Sequence, residues 1–542
     1  MKMKLLAVLL LGCVALRLPA QEIGEWIDRA ERSMATGAYE EAGAQYERAG
    51  RLKPDRPNLL YKAAEAYYLA RDYDKAADCY RPLRHQEGYA LAGLRYARAL
   101  KQGGKYLDAQ VAFREFLSNY KGEQAALMQE VVSKDLAGCA LALRLYNDTL
   151  EHPLALAAQV LPRPGQNAGN AFAPYPFGAD ALYFSFAANE RSPAGFWRME
   201  RNEQGWQAPF EAAGLPPEAA RNFASGSFSP DGSRFYCVQC AVQPGAKTAS
   251  GDWVCKILVM RRRSEGWSAP EPLRDYVNWP GSTTLAPSLA KANGQELLFF
   301  ASDRPGGAGG LDLYVCERPL DADDLDFSLP RNLGPLVNSG GDDTTPWFDA
   351  NSNTLFFSSN GQISLGGFDV YRTSRSGQDW SAPENLGLPF NSPADERWFV
   401  PNPENGGGFL SSNRGSNADS KTFDDNIVEI VPAFTRLFLT GEVTDDQRGQ
   451  LLPGCLIALY ELSPDGEVSL AQIQASTDGK FRFRLTPGSS YAVEATKNGF
   501  QAARATLGQL NQTPDGYTVS LLMRRYTPPS SKDSPPDKDG KQ

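Results

Sequence analysis

The chain carries only two histidines, His85 and His152, and histidine is the residue that most often serves as a general base. One falls in a helix-patterned stretch and the other at the edge of the strand-rich region that follows. Neither is placed to meet a nucleophile at the centre of that region, which argues against a Ser-His-Asp arrangement. Carboxylate pairs remain, for example in "DADDLD" at 321 to 326, but a run of like charge ordinarily faces water as a loop. The eight cysteines, at 13, 79, 139, 237, 240, 255, 316 and 455, lack the paired spacing of a zinc site or of a disulfide framework. Cys237 and Cys240 in "CVQC", with Cys255 beyond a loop, could form one disulfide in an exporting compartment. The alternative, that they are buried thiols packing as small hydrophobes in a strand pair, is the preferred reading. No catalytic residue, metal site or cofactor is expected, and the chain is not expected to be an enzyme.

At 542 residues the chain exceeds a single core, and three or four domains are expected. Its start, "MKMKLLAVLLLGCVALRLPAQE", has two lysines, an apolar run too short for a lasting span, and small residues, the pattern of an export signal. Leu10-Leu11-Gly12-Cys13 is similar to a lipobox that would leave Cys13 acylated, with a signal of residues 1–12. "LPAQ" suits ordinary cleavage after Ala20, with a signal of residues 1–20. No later segment has the apolar length of a membrane helix. A net charge of -9, made more acidic by loss of Lys2, Lys4 and Arg17, argues against nucleic acid as a partner.

Residues 22–146 carry a repeat in "GAYEEAGAQY", "RDYDKAADCY" and "GKYLDAQVAF". Tyr39, Tyr73 and Tyr106 are 34 and 33 apart, as are Ala42, Ala76 and Ala109, and then Tyr46, Tyr80 and Phe113. Small residues let one helix close on the next while aromatics fill the remaining gap. The segment resembles a tetratricopeptide array of three repeats with a capping helix over 123–146. That resemblance implies a groove for a peptide or protein.

Beyond about residue 150, short aromatic runs alternate with turn clusters, the mark of all-β structure. Five runs superpose: "DALYFSFAANE", "GSRFYCVQC", "QELLFFASDRPGG", "NTLFFSSNGQISLGG" and "GGGFLSSNRGSNADS". A second strand follows each, and in four units a third element ends the phrase: "GWQAP", "GWSAP", "DFSLP" and "DWSAP". Trp206, Trp267, Phe327 and Trp380 are 61, 60 and 53 apart, a period suited to propeller blades of four strands. The fifth unit has no such element, and "LALAAQVLPRPGQN" at 154–167 is the strand that would close the ring. Five blades are expected over 154–432, or six if a degenerate unit is hidden in the second or third repeat.

These units, and above all "SFSPDGSRFY" at 227–236, resemble the WD-like propellers of TolB and of multidomain OmpA-family envelope proteins of the Bacteroidetes. Asp303, Asn360, Asn413 and the pairs Gly309-Gly310 and Gly366-Gly367 are turn formers. The alternative is that they line a site on the ring's top face for a ligand or metal.

Residues 435–523 continue with alternating strands such as Phe481, Arg482, Phe483, Arg484 and Leu485. They resemble the carboxypeptidase regulatory-like domain, a transthyretin-type β-sandwich without catalytic residues. The tail, 526–542, has nothing apolar to bury and is expected to be disordered. The order of modules resembles PorE-type components of the type IX secretion system, without the peptidoglycan-binding domain of those relatives, so wall binding is not directly supported. The resemblance implies a non-catalytic periplasmic scaffold, associated with the outer membrane by a lipid on Cys13 or by a partner, that binds other envelope or secretion-system proteins. Two alternatives stand beside it: a propeller-based envelope sensor for a glycan or peptide, and an unrecognised hydrolase.

Overall fold

The computed structural model describes residues 19–526 except 152–155, 165–168, 179, 189–193, 203–204, 213–214, 216–222, 244–252, 378, 403–405, 415–423, 433–437, 463–467, 486–488 and 511–516. Cys13, residues 1–18 of the expected signal, His152 and all but the first residue of the 526–542 tail lie outside it. The chain divides into two compact units, residues 1–432 and 433–542.

Among the described residues the first unit opens with seven α-helices: α1 (Pro19–Thr36), α2 (Tyr39–Leu52), α3 (Pro57–Leu69), α4 (Tyr73–Tyr80), α5 (Ala92–Gln102), α6 (Tyr106–Asn119) and the long α7 (Ala125–Glu151). The repeated tyrosines begin the second helix of each pair, at Tyr39, Tyr73 and Tyr106. Ala42, Ala76 and Ala109 are wholly buried, as are Tyr80 and Phe113, so the period reports inter-helix packing. Pro57 starts α3 where its missing N–H costs nothing, and Asp72 caps α4 by accepting from the Lys75 amide. The first helix of each pair ends in the same way. At Gly37, Arg71 and Gly104 the backbone turns left-handed, and the next amide reaches back to close the helix, from Ala38 to Ser33, Asp72 to Tyr67 and Lys105 to Leu100. Two of the three are glycines. The third is an arginine.

Among the described residues five antiparallel sheets follow, and the strand at the inner end of each lies against its counterparts in the neighbouring sheets. The innermost strands are Asn170–Pro176, Phe223–Phe228, Thr284–Ala292, Asp343–Asp349 and Glu396–Asn402. The ring closes as the sequence suggests: Leu156–Val160 pairs antiparallel with Asn426–Pro432 as outer strand of the fifth sheet. Across that joint, Glu429 accepts from Arg201 at 3.1 Å and from the Trp206 indole at 3.0 Å, both of the first blade. Trp206, Trp267 and Trp380 lie in short outer strands. Phe327 is buried without belonging to a strand, because the outer strand of blade three is Arg331–Asn332.

A recurrent set of polar ties holds the blades. Asn278, Asn338 and Asn391 each accept from and donate to the backbone of one residue of a third strand, Ile257, Leu313 and Val370. The side chains of Arg304, Gln362 and Arg414 each donate to the carbonyls of a preceding loop. Every innermost strand slips register once. At four of those bulges a residue other than glycine has positive φ: Ala173, Ala286, Thr345 and Trp398.

The cysteine cluster divides. Cys240 and Cys255, opposite one another on neighbouring strands of blade two, form a disulfide, whereas Cys237 is a buried free thiol.

The second unit is a sandwich of two sheets. One has the order 480–484, 438–445, 517–523, the last two strands parallel. The other runs 468–476, 455–462, 490–496, 503–509. Phe481 and Phe483 are buried and Arg482 is exposed, the alternation of a strand with one face in the core.

Candidate functional site

Within the first unit the helices sit over one end of the ring, where the loops of blades four and five emerge. Gly138 of α7 makes this approach possible, since a Cβ there would stand 2.1 Å from the Ser364 carbonyl oxygen. Beside it Lys101 is buried, with Nζ 3.0 Å from Asp135 Oδ1 and 3.1 Å from Ser364 Oγ. Arg98 donates to the other oxygen of Asp135 at 3.0 Å. Burial alone would raise the Asp135 carboxyl, but the two cations outweigh it and hold it below its ordinary range. Further along, Arg71 donates to Asp425 at 2.8 Å and Lys134 to the Gly361 carbonyl at 3.3 Å.

Between these anchors a cleft of about 690 Å³ remains open. Five basic side chains line it, Arg71, Arg95, Arg98, Lys101 and Lys134, against three carboxylates, Glu130, Asp135 and Asp395. Arg98 and Lys101 are spent on Asp135. Arg95 reaches Glu65 only at 3.6 Å, and its guanidinium lies over the Tyr68 ring. Lys134 meets a neutral carbonyl. The lining therefore carries two more basic than acidic side chains, with Arg71 and Arg95 meeting carboxylates that stand outside it, Asp425 and Glu65. In the same wall Gln102 Oε1 is buried without a hydrogen-bond donor among the described residues. Such an acceptor is costly unless something supplies an N–H or O–H.

The turn residues separate into two groups. Asp303, Asn360 and Asn413 make one tie in three blades, each accepting at 2.7 Å from the amide of Thr283, Asp342 and Asp395 respectively. A Cβ on Gly309 would stand 2.0 Å from the Gly341 carbonyl, and one on Gly366 2.2 Å from that of Ala394. The Gly310 amide donates to the same Gly341 carbonyl. Turn and joint geometry thus accounts for all of them. Asn360, Gly366 and Gly367 also line the cleft, and Asn413 lines the hollow beside it, while Asp303, Gly309 and Gly310 line neither. Among the described residues no three His, Cys, Asp or Glu side chains converge as a metal would require.

The basic lining was missed from sequence, although a signal was present. In "LRYARALKQ" Arg95, Arg98 and Lys101 recur every third residue along α5, which puts them along one side of the helix.

The architecture defines a class: a five-bladed propeller with a helical array docked on one end. No family model and no curated protein matches the chain. Solved structures similar to it include an alpha-L-arabinofuranosidase from Lactobacillus brevis, at 10% identity and TM-score 0.33 over 55% of this chain and 94% of that one. The GH43_1 enzyme from Xanthomonas citri complexed with xylotriose is similar at 13% identity and TM-score 0.33, over 61% and 96%. A mutant Trypanosoma rangeli sialidase is similar at 8% identity and TM-score 0.31, over 66% and 90%. The expectation of a non-catalytic scaffold, and of a chain that is not an enzyme, is corrected by these neighbours, which are glycoside hydrolases and a sialidase. At TM-scores of 0.31 to 0.33 the likeness transfers neither an active site nor a substrate to this chain.

Proposed function

We propose that the protein is an exported receptor that captures an acidic peptide segment in the cleft between its helical array and its propeller. The observation that carries this reading is the lining of five basic side chains against three carboxylates, in which Lys134 meets a neutral carbonyl and Arg95 reaches its nearest ion-pair partner, Glu65, at 3.6 Å. Charge of this kind steers an anionic ligand into a cleft and strengthens its hold there. A peptide also brings amide N–H groups, the donors that Gln102 Oε1 lacks. The three helix pairs, read as tetratricopeptide repeats, supply one wall, and the loops of a TolB-like ring supply the other.

Three further readings belong with it. The sandwich is a regulatory-like module of the transthyretin type, supported by its two-sheet order. The disulfide between Cys240 and Cys255 supports an oxidising compartment outside the cytoplasm, consistent with the signal-like start and with residence in the periplasm near the outer membrane. The order of array, ring and sandwich supports kinship with envelope proteins.

The test is fluorescence anisotropy with a labelled peptide of fifteen glutamates, with a lysine peptide as control. The glutamate peptide should bind the full chain, more weakly as salt rises, and Arg95→Glu with Lys134→Glu should abolish binding. Equal binding by that variant, or no binding by the wild type, overturns the reading. Cleavage of the peptide during the titration would replace capture with hydrolysis.

A further inference from the structure

The other end of the ring holds a second cavity, of about 550 Å³, between blades four and five. Its origin is a break in the repeat. One pair beyond the bulge, the second strand carries Leu182, Leu298 and Leu355 in blades one, three and four, opposite Pro176, Leu289 and Phe348. All three leucines are wholly buried and pack on the preceding blade. Blade five carries Gly408 there, opposite Pro401, and Gly406 and Gly407 line the cavity. The apolar wedge that seals three of the other joints is missing from this one.

Aromatic rings and charges together line the opening. Trp347, Phe356, Phe390 and Phe399 supply apolar surface. Around them stand Asp349 and the ion pair of Arg372 with Glu384, in which Nε and Nη2 both meet Oε2 at 2.9 Å. Both partners of that pair are more than half exposed, so it is available to a ligand. An anion would face Asp349 and Glu384, and an organic cation would face Arg372. Neutral hydroxyls, each both donor and acceptor, match guanidinium and carboxylate at once. Aromatic surface beside such groups suits a ring with an apolar face. A pocket of this size, mostly apolar with a few convergent polar groups, is the usual form of a small-molecule site.

We infer that this cavity binds a neutral sugar residue, its ring against the aromatic wall and its hydroxyls bridging Arg372, Glu384 and Asp349. The site is separate from the basic cleft and stands or falls independently of it.

The experiment is calorimetric titration of the full chain with cellohexaose, maltohexaose and fully N-acetylated chitohexaose, alongside hexagalacturonate and hexameric chitosan as charged controls. A neutral hexaose should bind saturably and quench tryptophan fluorescence. Arg372→Ala and Glu384→Ala, which remove exposed groups and leave the core intact, should each weaken it by about tenfold, the effect of one lost hydrogen bond. Arg95→Glu with Lys134→Glu should leave it unchanged. Failure of all three neutral hexaoses to bind at millimolar concentration overturns the inference. So does undiminished binding by the Arg372 and Glu384 variants, or tighter binding of a charged control.

Discussion

Arg71 of the helical array donates to Asp425 of the fifth blade at 2.8 Å while holding a left-handed backbone, φ 62°, at the end of α3. Gly37 and Gly104 occupy the equivalent helix ends, so glycine is what the turn prefers. A residue with a Cβ costs about 1 kcal/mol or more there. The side chain explains why the cost is tolerated. Asp425 is buried, and burial alone would push its carboxyl up, but Arg71 and then Arg397 hold it below the ordinary range. Arg71→Gly should therefore relieve the turn and still destabilise, because it strands a buried carboxylate whose other cation, Arg397, lies at 3.9 Å. A net loss of about 2 kcal/mol is expected, the cost of breaking a buried pair less the strain released. Urea unfolding measures it. A variant more stable than the wild type would show that the pair does not anchor the array.

The ring should lose stability as pH rises through neutrality. Burial pushes Asp369 up to about 7, with Glu396 beside it adding to the effect, and amide donation from Leu365 and Gly366 only partly offsets this. Asp343 is raised to about 6, again chiefly by burial. A carboxyl whose folded value lies above its unfolded one binds its proton more tightly when folded. Its contribution is complete below about pH 4 and is lost as pH climbs through the folded value. Between pH 5 and pH 8 Asp369 should take away about 2 kcal/mol. Unfolding midpoints across that range should fall in the wild type and change less in Asp369→Asn. Parallel slopes would assign the pH dependence to other groups.

Much of this architecture was legible because blades and helix pairs repeat. Tyr39, Tyr73 and Tyr106 mark equivalent helix starts, and the unmatched strand at 156–160 reveals the closure. What could not be read depends on tertiary meeting. Lys101 and Ser364 touch across 263 residues of chain, and no local period reports such a contact. Phe327 keeps the aromatic of its repeat without the strand, because burial against Tyr236 suffices to retain the residue type. The cysteine cluster was readable only to the alternatives of one disulfide or buried thiols, and strand register divides it by placing Cys240, not Cys237, opposite Cys255, so that Cys237 stays a free thiol.

That register predicts separate behaviour for the three thiols. Cys240→Ala with Cys255→Ala should cost about 3 kcal/mol, since the bond closes a loop across 15 positions and so limits the unfolded chain. Cys237 is buried, and burial pushes its thiol up to about 12. It should resist alkylation in the folded protein and react once the chain is unfolded. Mass spectrometry after differential alkylation checks both points. Labelling of Cys240 without a reductant would deny the bond.

Glycines at the top face allow joint and ligand roles to be told apart, because their surroundings differ. A Cβ on Gly366 would meet the carbonyl oxygens of Ala394 and Pro393 at 2.2 and 2.4 Å. These are backbone atoms of the neighbouring blade and cannot rotate away. Gly366→Ala should therefore force blades four and five apart and cost on the order of 2 kcal/mol, the usual scale of overpacking. Gly340 has nothing within 4 Å of an added Cβ, so Gly340→Ala should leave stability within about 0.5 kcal/mol, as surface changes do. Thermal unfolding of the two variants, side by side, is the measurement. If Gly366→Ala unfolds with the wild type, the glycine pair is not the hinge of the blade joint, and its place in the cleft lining becomes the stronger reason for its presence.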